Sequence, residues 1–310
     1  MSTACRICGN SQGNTAYQAR EMMFGLGDTF DYFQCPQCEC LQIREFPQDM
    51  TRYYPEGYYS LSTNDSLFRR CVKVPLKRLR DQYIFSARGL PGKLLSLLVP
   101  NPTLQVLKRI PLKKESRILD VGSGRGFILE SLKNAGFKNV LGIDPYLKQD
   151  LQYDGVTIFK RSLKNIEGAW DLIMFHHSFE HLPDPLEILK TTHKLLTKEG
   201  LCLIRIPIVS SYAWEHYKTS WAQLDAPRHF FLHSTKSLEL LAAKTGFKIE
   251  DIIYDSTEFQ FWASEQYKKG IPLQSGCSFS LWKLRSLRRQ AEELNRQRQG
   301  DQAAFYLRKQ

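Results

Sequence analysis

The sequence predicts an α/β fold: a doubly wound, mostly parallel seven-stranded sheet, with a small cysteine-bearing module ahead of it and helical insertions within it. Three observations carry that expectation. Beyond residue 116, short apolar runs alternate with helix-length segments, the rhythm of a parallel sheet covered on both faces. The first run leads straight into Gly122-Ser123-Gly124-Arg125-Gly126, a turn into a helix N-terminus. Upstream, Cys5-x2-Cys8 and Cys35-x2-Cys38 mark a separate, smaller unit.

Length and composition agree with two units. At about 150 residues per domain, 310 residues suggest roughly two. The chain is 42% apolar and 24% charged, which is globular and excludes disordered and fibrous classes. Its densest apolar stretch, 94–99, is far below the roughly 20 residues of a membrane helix. The opening Met1-Ser2-Thr3-Ala4-Cys5-Arg6 lacks the apolar core of a secretion signal, so a cytoplasmic location is expected.

The first module follows from its cysteines. Eight cysteines in such a chain favour thiols or metal over disulfides. Two Cys-x2-Cys turns with 26 residues between them can hold one ion at about 2.3 Å in a tetrahedral zinc shell. Gly9 and Pro36 suit tight turns at those positions. A redox pair explains one such motif but not two. Zinc bound by Cys5, Cys8, Cys35 and Cys38 is therefore expected to be structural, with residues 1–60 as a zinc-ribbon domain. Cys40 lies close enough to replace Cys38, while Cys71, Cys202 and Cys277 read as small buried residues. The run Tyr53-Tyr54-Pro55-Glu56-Gly57-Tyr58-Tyr59 reads equally as packing or as an amphipathic pocket wall.

The core elements come next. Ile118-Leu119-Asp120-Val121 reads as a buried strand, and 127–135 as a helix closed by Gly136. Val140-Leu141-Gly142-Ile143 is a second strand, ending at Asp144, 20 residues after Gly124, where an adenosine ribose presents its hydroxyls. A third strand is expected at 156–159 and a fourth at 170–175, running into His176. Asp184, Pro185 and Glu187 then start a helix reaching 197 and stopped by Gly200. Strands at 201–207 and 303–308 complete the sheet. Ligands are expected at the carboxyl ends, where Asp120, Asp144 and the 176–181 segment fall.

A dinucleotide fingerprint places two residues between its last glycines, whereas only Arg125 stands there. Asp120 would repel a pyrophosphate and welcome an ammonium group. This arrangement resembles motif I of the class I S-adenosylmethionine-dependent methyltransferases, with their Rossmann-like sheet. The resemblance implies cofactor contacts at Asp120, Gly122, Ser123, Gly124, Gly126, Asp144, Pro145, Ser162 and His176. The string from Asp171 to Pro185 is similar to a bacterial subgroup that carries an N-terminal zinc ribbon. So are Trp221 to His229, Ser234 and Gly246-Phe247. That subgroup is associated with sugar and polysaccharide biosynthesis. It includes deoxysugar C-methyltransferases, whose further C-terminal domain has no counterpart in this sequence.

The resemblance implies methyl transfer to an oxygen or carbon of a small sugar-type acceptor, a nucleotide sugar or glycan intermediate. It implies Glu180 and His181 at the reacting atoms, with His229 a second base in a covering loop. The same residues also suit plainer roles, anchoring a helix and fixing a loop. An alternative is an RNA methyltransferase using the ribbon and basic segments. Against it, His176-His177-Ser178-Phe179 replaces the Asn-Pro-Pro-Tyr signature of nucleic-acid amino methyltransferases, and no base-carbon cysteine motif is present.

The formal charge of +11 is concentrated. Residues 61–116 carry 12 Lys/Arg against 3 Asp/Glu, and 281–310 carry 8 against 3. These segments read as amphipathic helices with solvated charge, or as attraction to a phosphate-bearing substrate or an anionic membrane surface. The expected organisation is a basic helical connector or lid at 61–115 and a methyltransferase domain at 116–310. That domain would contain a substrate loop at 208–233 and a helical insertion at 256–299.

Overall fold

The structure, a computed structural model, describes residues 4–55 and 74–310. Tyr58, Tyr59, Cys71 and the start of the basic connector lie outside the described residues. Strands β1 (Thr15–Arg20), β2 (Thr29–Gln34) and β3 (Leu41–Ile43) form the N-terminal sheet. Helices α1 (Val74–Ser86), α2 (Leu90–Leu98) and α3 (Pro102–Lys108) follow as the connector. Among the described residues no helix is long and apolar enough to cross a membrane.

The core then alternates: β4 (Arg117–Val121), α4 (Phe127–Asn134), β5 (Asn139–Ile143), β6 (Leu151–Tyr153), β7 (Val156–Phe159), β8 (Trp170–His176), α5 (Pro185–Leu195) and β9 (Leu196–Pro207). It continues through α6 (Tyr212–Tyr217), β10 (Phe231–Leu232), α7 (Thr235–Lys244), β11 (Phe247–Tyr254), α8 (Phe259–Lys268), α9 (Leu281–Arg296) and β12 (Gln302–Lys309). Helices α8 and α9 fall within residues 256–299. Leu287, Ala291 and Leu294 are the buried stripe of α9.

The expected seven mostly parallel strands prove to be eight in a mixed sheet, in the order β11-β12-β9-β8-β4-β5-β7-β6. Only β7, β5, β4, β8 and β9 pair in parallel. The additional strand, β6, turns back on β7 through Asp154-Gly155, both at positive φ, as a two-residue hairpin requires. At the other edge β12 returns from the helical insertion and pairs antiparallel with both β9 and β11.

One boundary also differs. The helix expected to reach residue 197 ends at Leu195, and the strand begins at once, because Leu196 is extended and pairs with Trp170. Gly200 lies inside that strand instead of stopping the helix.

Side chains alternate across the sheet, so the core has two faces. Ile118, Leu172, Leu203 and Tyr306 pack beneath α1, α3 and α4. Leu119, Ile173, Cys202 and Phe305 share the opposite core with the N-terminal module, including Tyr32, Phe33 and Leu41. That module is not self-contained: β3 pairs antiparallel with β10, contributed from within the 208–233 loop.

Candidate active site

The carboxyl ends of the central strands open into one cleft of about 320 Å³. Asp120, Gly122, Ser123, Gly124, Asp144, Pro145, Ser162 and His176 all line it, as does His181. Gly126 does not. It caps α4 at φ 77°, and a Cβ there would stand 2.7 Å from Ile158 Cδ1, so its requirement is helix-on-sheet packing. Gly122 has the sharper constraint: at φ 73°, a Cβ would meet Ser178 Cβ at 2.4 Å. Ser178 is held there by donating Oγ–H to the Val121 carbonyl at 2.6 Å.

The floor of the cleft is two carboxylates. Asp144 accepts from the Gly124 and Tyr146 amides, each at 2.9 Å, which aims it into the cleft with acceptor capacity left over. Asp120 is buried, and its carboxyl is pushed well above the usual range by burial and then by the Asp144 charge. Among the described residues no cation offsets that. Ser123 Oγ and both ring nitrogens of His176 are buried without hydrogen-bond partners. Buried polar atoms need partners, so their clustering here fits a polar ligand with an ammonium group and ribose hydroxyls.

Beside this floor, the single turn Phe179–His181 follows β8 and places Glu180 and His181. Glu180 is fully buried, with Oε1 3.6 Å from His177 Nδ1 and 3.8 Å from His229 Nε2. Burial opposes its charge, but the nearby His177, His181 and His229 outweigh that and hold its carboxyl down to about 2, while neither oxygen makes a hydrogen bond within the described protein. His181 Nδ1 lies 2.7 Å from the Arg228 carbonyl oxygen, so Nδ1 carries the proton and Nε2 is left as an acceptor. His229 stacks edge-on against His181 with centroids 4.8 Å apart. It donates Nδ1–H to the Gln223 carbonyl at 2.8 Å and does not line the cleft. Burial, more than the neighbouring His181, lowers His229 to about 4, so it stays neutral.

Several contributors were not singled out in the sequence. Arg228 is wholly buried between Asp225 (2.6 Å) and Glu21 (2.9 Å), and it donates to the Tyr53 carbonyl at 3.2 Å. The only signal was the spacing of Asp225 and Arg228 beside Pro227. Of the tyrosine run, read in the sequence as packing or as a pocket wall, Tyr53 is buried, while Tyr54 lines the cleft, stacks on Tyr146 at 5.8 Å and reaches His181 Nδ1 at 3.4 Å. Arg205 pairs with Asp255 at 2.7 Å and donates to His177 Nε2 at 3.0 Å, an arrangement across distant strands that sequence spacing does not reveal.

The expected metal ligands also converge. Sulfur atoms of Cys5, Cys8, Cys35 and Cys38 all lie within 4.8 Å of one another. Cys5–Cys38 and Cys8–Cys35 are each 3.5 Å apart, close to the edge of about 3.8 Å in a tetrahedral shell with bonds near 2.3 Å. Gln42 Nε2 donates to Cys5 Sγ at 3.1 Å, and the Cys38 contact holds the Cys5 thiol down to about 4. Such N–H···S support is what a thiolate cluster needs, so the set is compatible with zinc. Cys40 is buried outside the cluster, Cys202 is buried in the sheet, and Cys277 is exposed, against expectation.

The chain is similar to known methyltransferases. A tRNA U34 carboxymethyltransferase from Campylobacter fetus is 23% identical over 67% of this chain and 82% of its own length. A ubiquinone biosynthesis O-methyltransferase from Psychrobacter arcticus is 25% identical over 48% of this chain and 66% of its own. Among solved structures, an S-adenosylmethionine-dependent methyltransferase from Mesorhizobium loti is 17% identical at a TM-score of 0.45, covering 66% of this chain and 96% of that one. The family described as a methyltransferase domain matches residues 98–252, half of the chain and the whole floor of the cleft. The chain belongs to that family and is a class I S-adenosylmethionine-dependent methyltransferase.

Proposed function

We propose that this methyltransferase methylates an oxygen or carbon of a small, sugar-type acceptor, a nucleotide sugar or glycan intermediate. The observation that carries the reading is His181: its Nδ1–H is tied to a carbonyl, and its Nε2 is free at a cleft floored by Asp120 and Asp144. Asp144 would accept from ribose hydroxyls and Asp120 would meet the ammonium group, while Ser123 and His176 gain partners. The bound cofactor supplies an electrophilic methyl group on a sulfonium. His181 Nε2 would take the proton that the acceptor oxygen or carbon gives up as it is methylated. The imidazolium so formed faces the buried, ionised Glu180, which compensates the charge. His229 holds the ring of His181 in place from behind.

Tyr54 and Tyr146 wall the cleft next to His181, where an acceptor would enter. The sugar class rests on the sequence resemblance through Trp221–His229. In the same reading the four clustered cysteines hold a structural zinc, making the N-terminal module a zinc ribbon. An RNA acceptor is the second reading, favoured by the relative whose name gives a tRNA activity. The test is methyl transfer from labelled cofactor to a panel of nucleotide sugars and to bulk tRNA, read by mass spectrometry. Transfer to a nucleotide sugar, lost in His181→Ala, is expected. Transfer to tRNA alone would overturn the sugar reading.

A further inference from the structure

We infer that the outer face of α2 docks on an anionic lipid bilayer. In this nine-residue helix Leu90, Leu94, Leu97 and Leu98 recur at the spacing of one helical face. That face points to solvent, with the four leucines 82%, 59%, 71% and 68% exposed and Val99 beyond them 56% exposed. The opposite face is the packed one. Gly92 is buried so closely on α1 that a Cβ would stand 2.6 Å from the Leu79 carbonyl and from Tyr83 Cβ. The helix is thus amphipathic in the reverse sense to a surface helix of a globular domain, with its leucines outward. Leu76 and Leu79 of α1 add a further exposed edge. A contiguous apolar face of this kind is uncommon on a free surface and marks a docking site.

Charge selects the occupant. Exposed Arg78 on α1, Arg88 just ahead of α2 and Lys93 within α2 belong to the same helical pair as the leucines. Between residues 74 and 114 the single acid, Asp81, is buried and paired with Arg80 at 2.7 Å, so this segment carries no exposed acid to offset its cations. A second copy of the chain would bring like charge against like. An apolar face accompanied by cations instead matches acyl chains beneath anionic headgroups. The helix beneath this face reaches toward the chemistry: Lys77 and Arg80 of α1 edge a second cleft that shares Thr103, Phe127 and Ile128 with the cofactor cleft.

The test is co-sedimentation of the full chain with vesicles of phosphatidylcholine alone and with about one-third phosphatidylglycerol, at low and high salt. Binding is expected only with phosphatidylglycerol and should weaken with salt. Leu94→Gln with Leu98→Gln should raise the lipid needed for half-binding about tenfold. Cofactor affinity by calorimetry should be unchanged in that variant, which separates loss of docking from misfolding and from failure of the methyltransferase site. Absence of binding to anionic vesicles, or full binding by the double variant, overturns the inference. So does a dimer in solution that the double variant dissociates while vesicles remain unbound.

Discussion

The ring of His181 is held by the backbone of Arg228: Nδ1 and the carbonyl oxygen are 2.7 Å apart. The guanidinium of that arginine is sealed between Asp225 and, at 2.9 Å, Glu21 at the end of β1. A carboxylate in the N-terminal module therefore fixes the peptide that aims the proposed base. Removing one partner from a buried ion pair costs about 3 kcal/mol or more, so Glu21→Gln should lower the unfolding midpoint clearly. In the folded variant kcat should fall about tenfold while cofactor affinity holds, as a misaligned base predicts. Unchanged kcat would detach Glu21 from the site.

Asp120 gives a proton signature. Its carboxyl is pushed well up by burial and then by Asp144, so the free protein keeps a proton there to a higher pH than an ordinary carboxyl does. A bound ammonium group favours the ionised form, and cofactor binding should release that proton. Calorimetry in buffers of different ionisation enthalpy measures it directly. Asp120→Asn should abolish the release, and Asp144→Ala should weaken cofactor binding by at least about tenfold through loss of the hydroxyl acceptor.

Gly122 tests the turn. An alanine there must adopt φ 73° and push against Ser178 Cβ at 2.4 Å. A cost of about 1–3 kcal/mol in stability is expected, with a larger loss in cofactor affinity because Ser178 and the turn move together. Denaturant melts and calorimetry on the same sample separate the two effects.

The cysteine cluster predicts about one zinc per chain by elemental analysis, lost in Cys5→Ser with Cys8→Ser. The effect should reach catalysis. Ser234 Oγ donates to the Cys38 carbonyl at 2.5 Å, and Tyr32 Oη donates to the His229 carbonyl at 2.8 Å. Metal loss should therefore depress kcat as well as the melting temperature.

Acid sensitivity should trace to buried histidines. Burial lowers His229 to about 4 and His233 to about 3 from an ordinary 6.5. The unfolded chain then binds protons that the folded chain refuses, so this contribution is complete above pH 6.5 and is lost as the pH falls toward those values. At about 1.4 kcal/mol per unit, His229 alone accounts for roughly 3 kcal/mol. Buried Asp120 and Asp301, pushed upward by burial, act in the opposite sense. The comparison is accordingly a difference: His233→Gln should flatten the loss of stability between pH 6.5 and 4 relative to wild type.

What the sequence disclosed was local. The Asp120-to-Gly126 turn, Asp144 and the strand tip at His176 needed only period and topology, and all but Arg125 and Gly126 reach the cleft. The Asp154-Gly155 hairpin was equally local and passed unread, although that dipeptide is a strong turn signal. Arg228 with Glu21, and Arg205 with Asp255 and His177, were beyond reach, because each pairing joins residues that only the folded sheet brings together. Gly200 misled because a glycine after a helical pattern reads the same whether it ends a helix or sits within a strand.

The pairing of β3 with β10 sets a timetable. During synthesis the first three strands emerge early, yet the partner for their open edge is some 190 residues further along the chain. Until the ribosome delivers it, that edge stands uncovered, a target for stray strands or for a chaperone. Early capture of an ion by the cysteines would hold the nascent hairpin compact through that interval. An amino-terminal fragment expressed alone would never leave that waiting state.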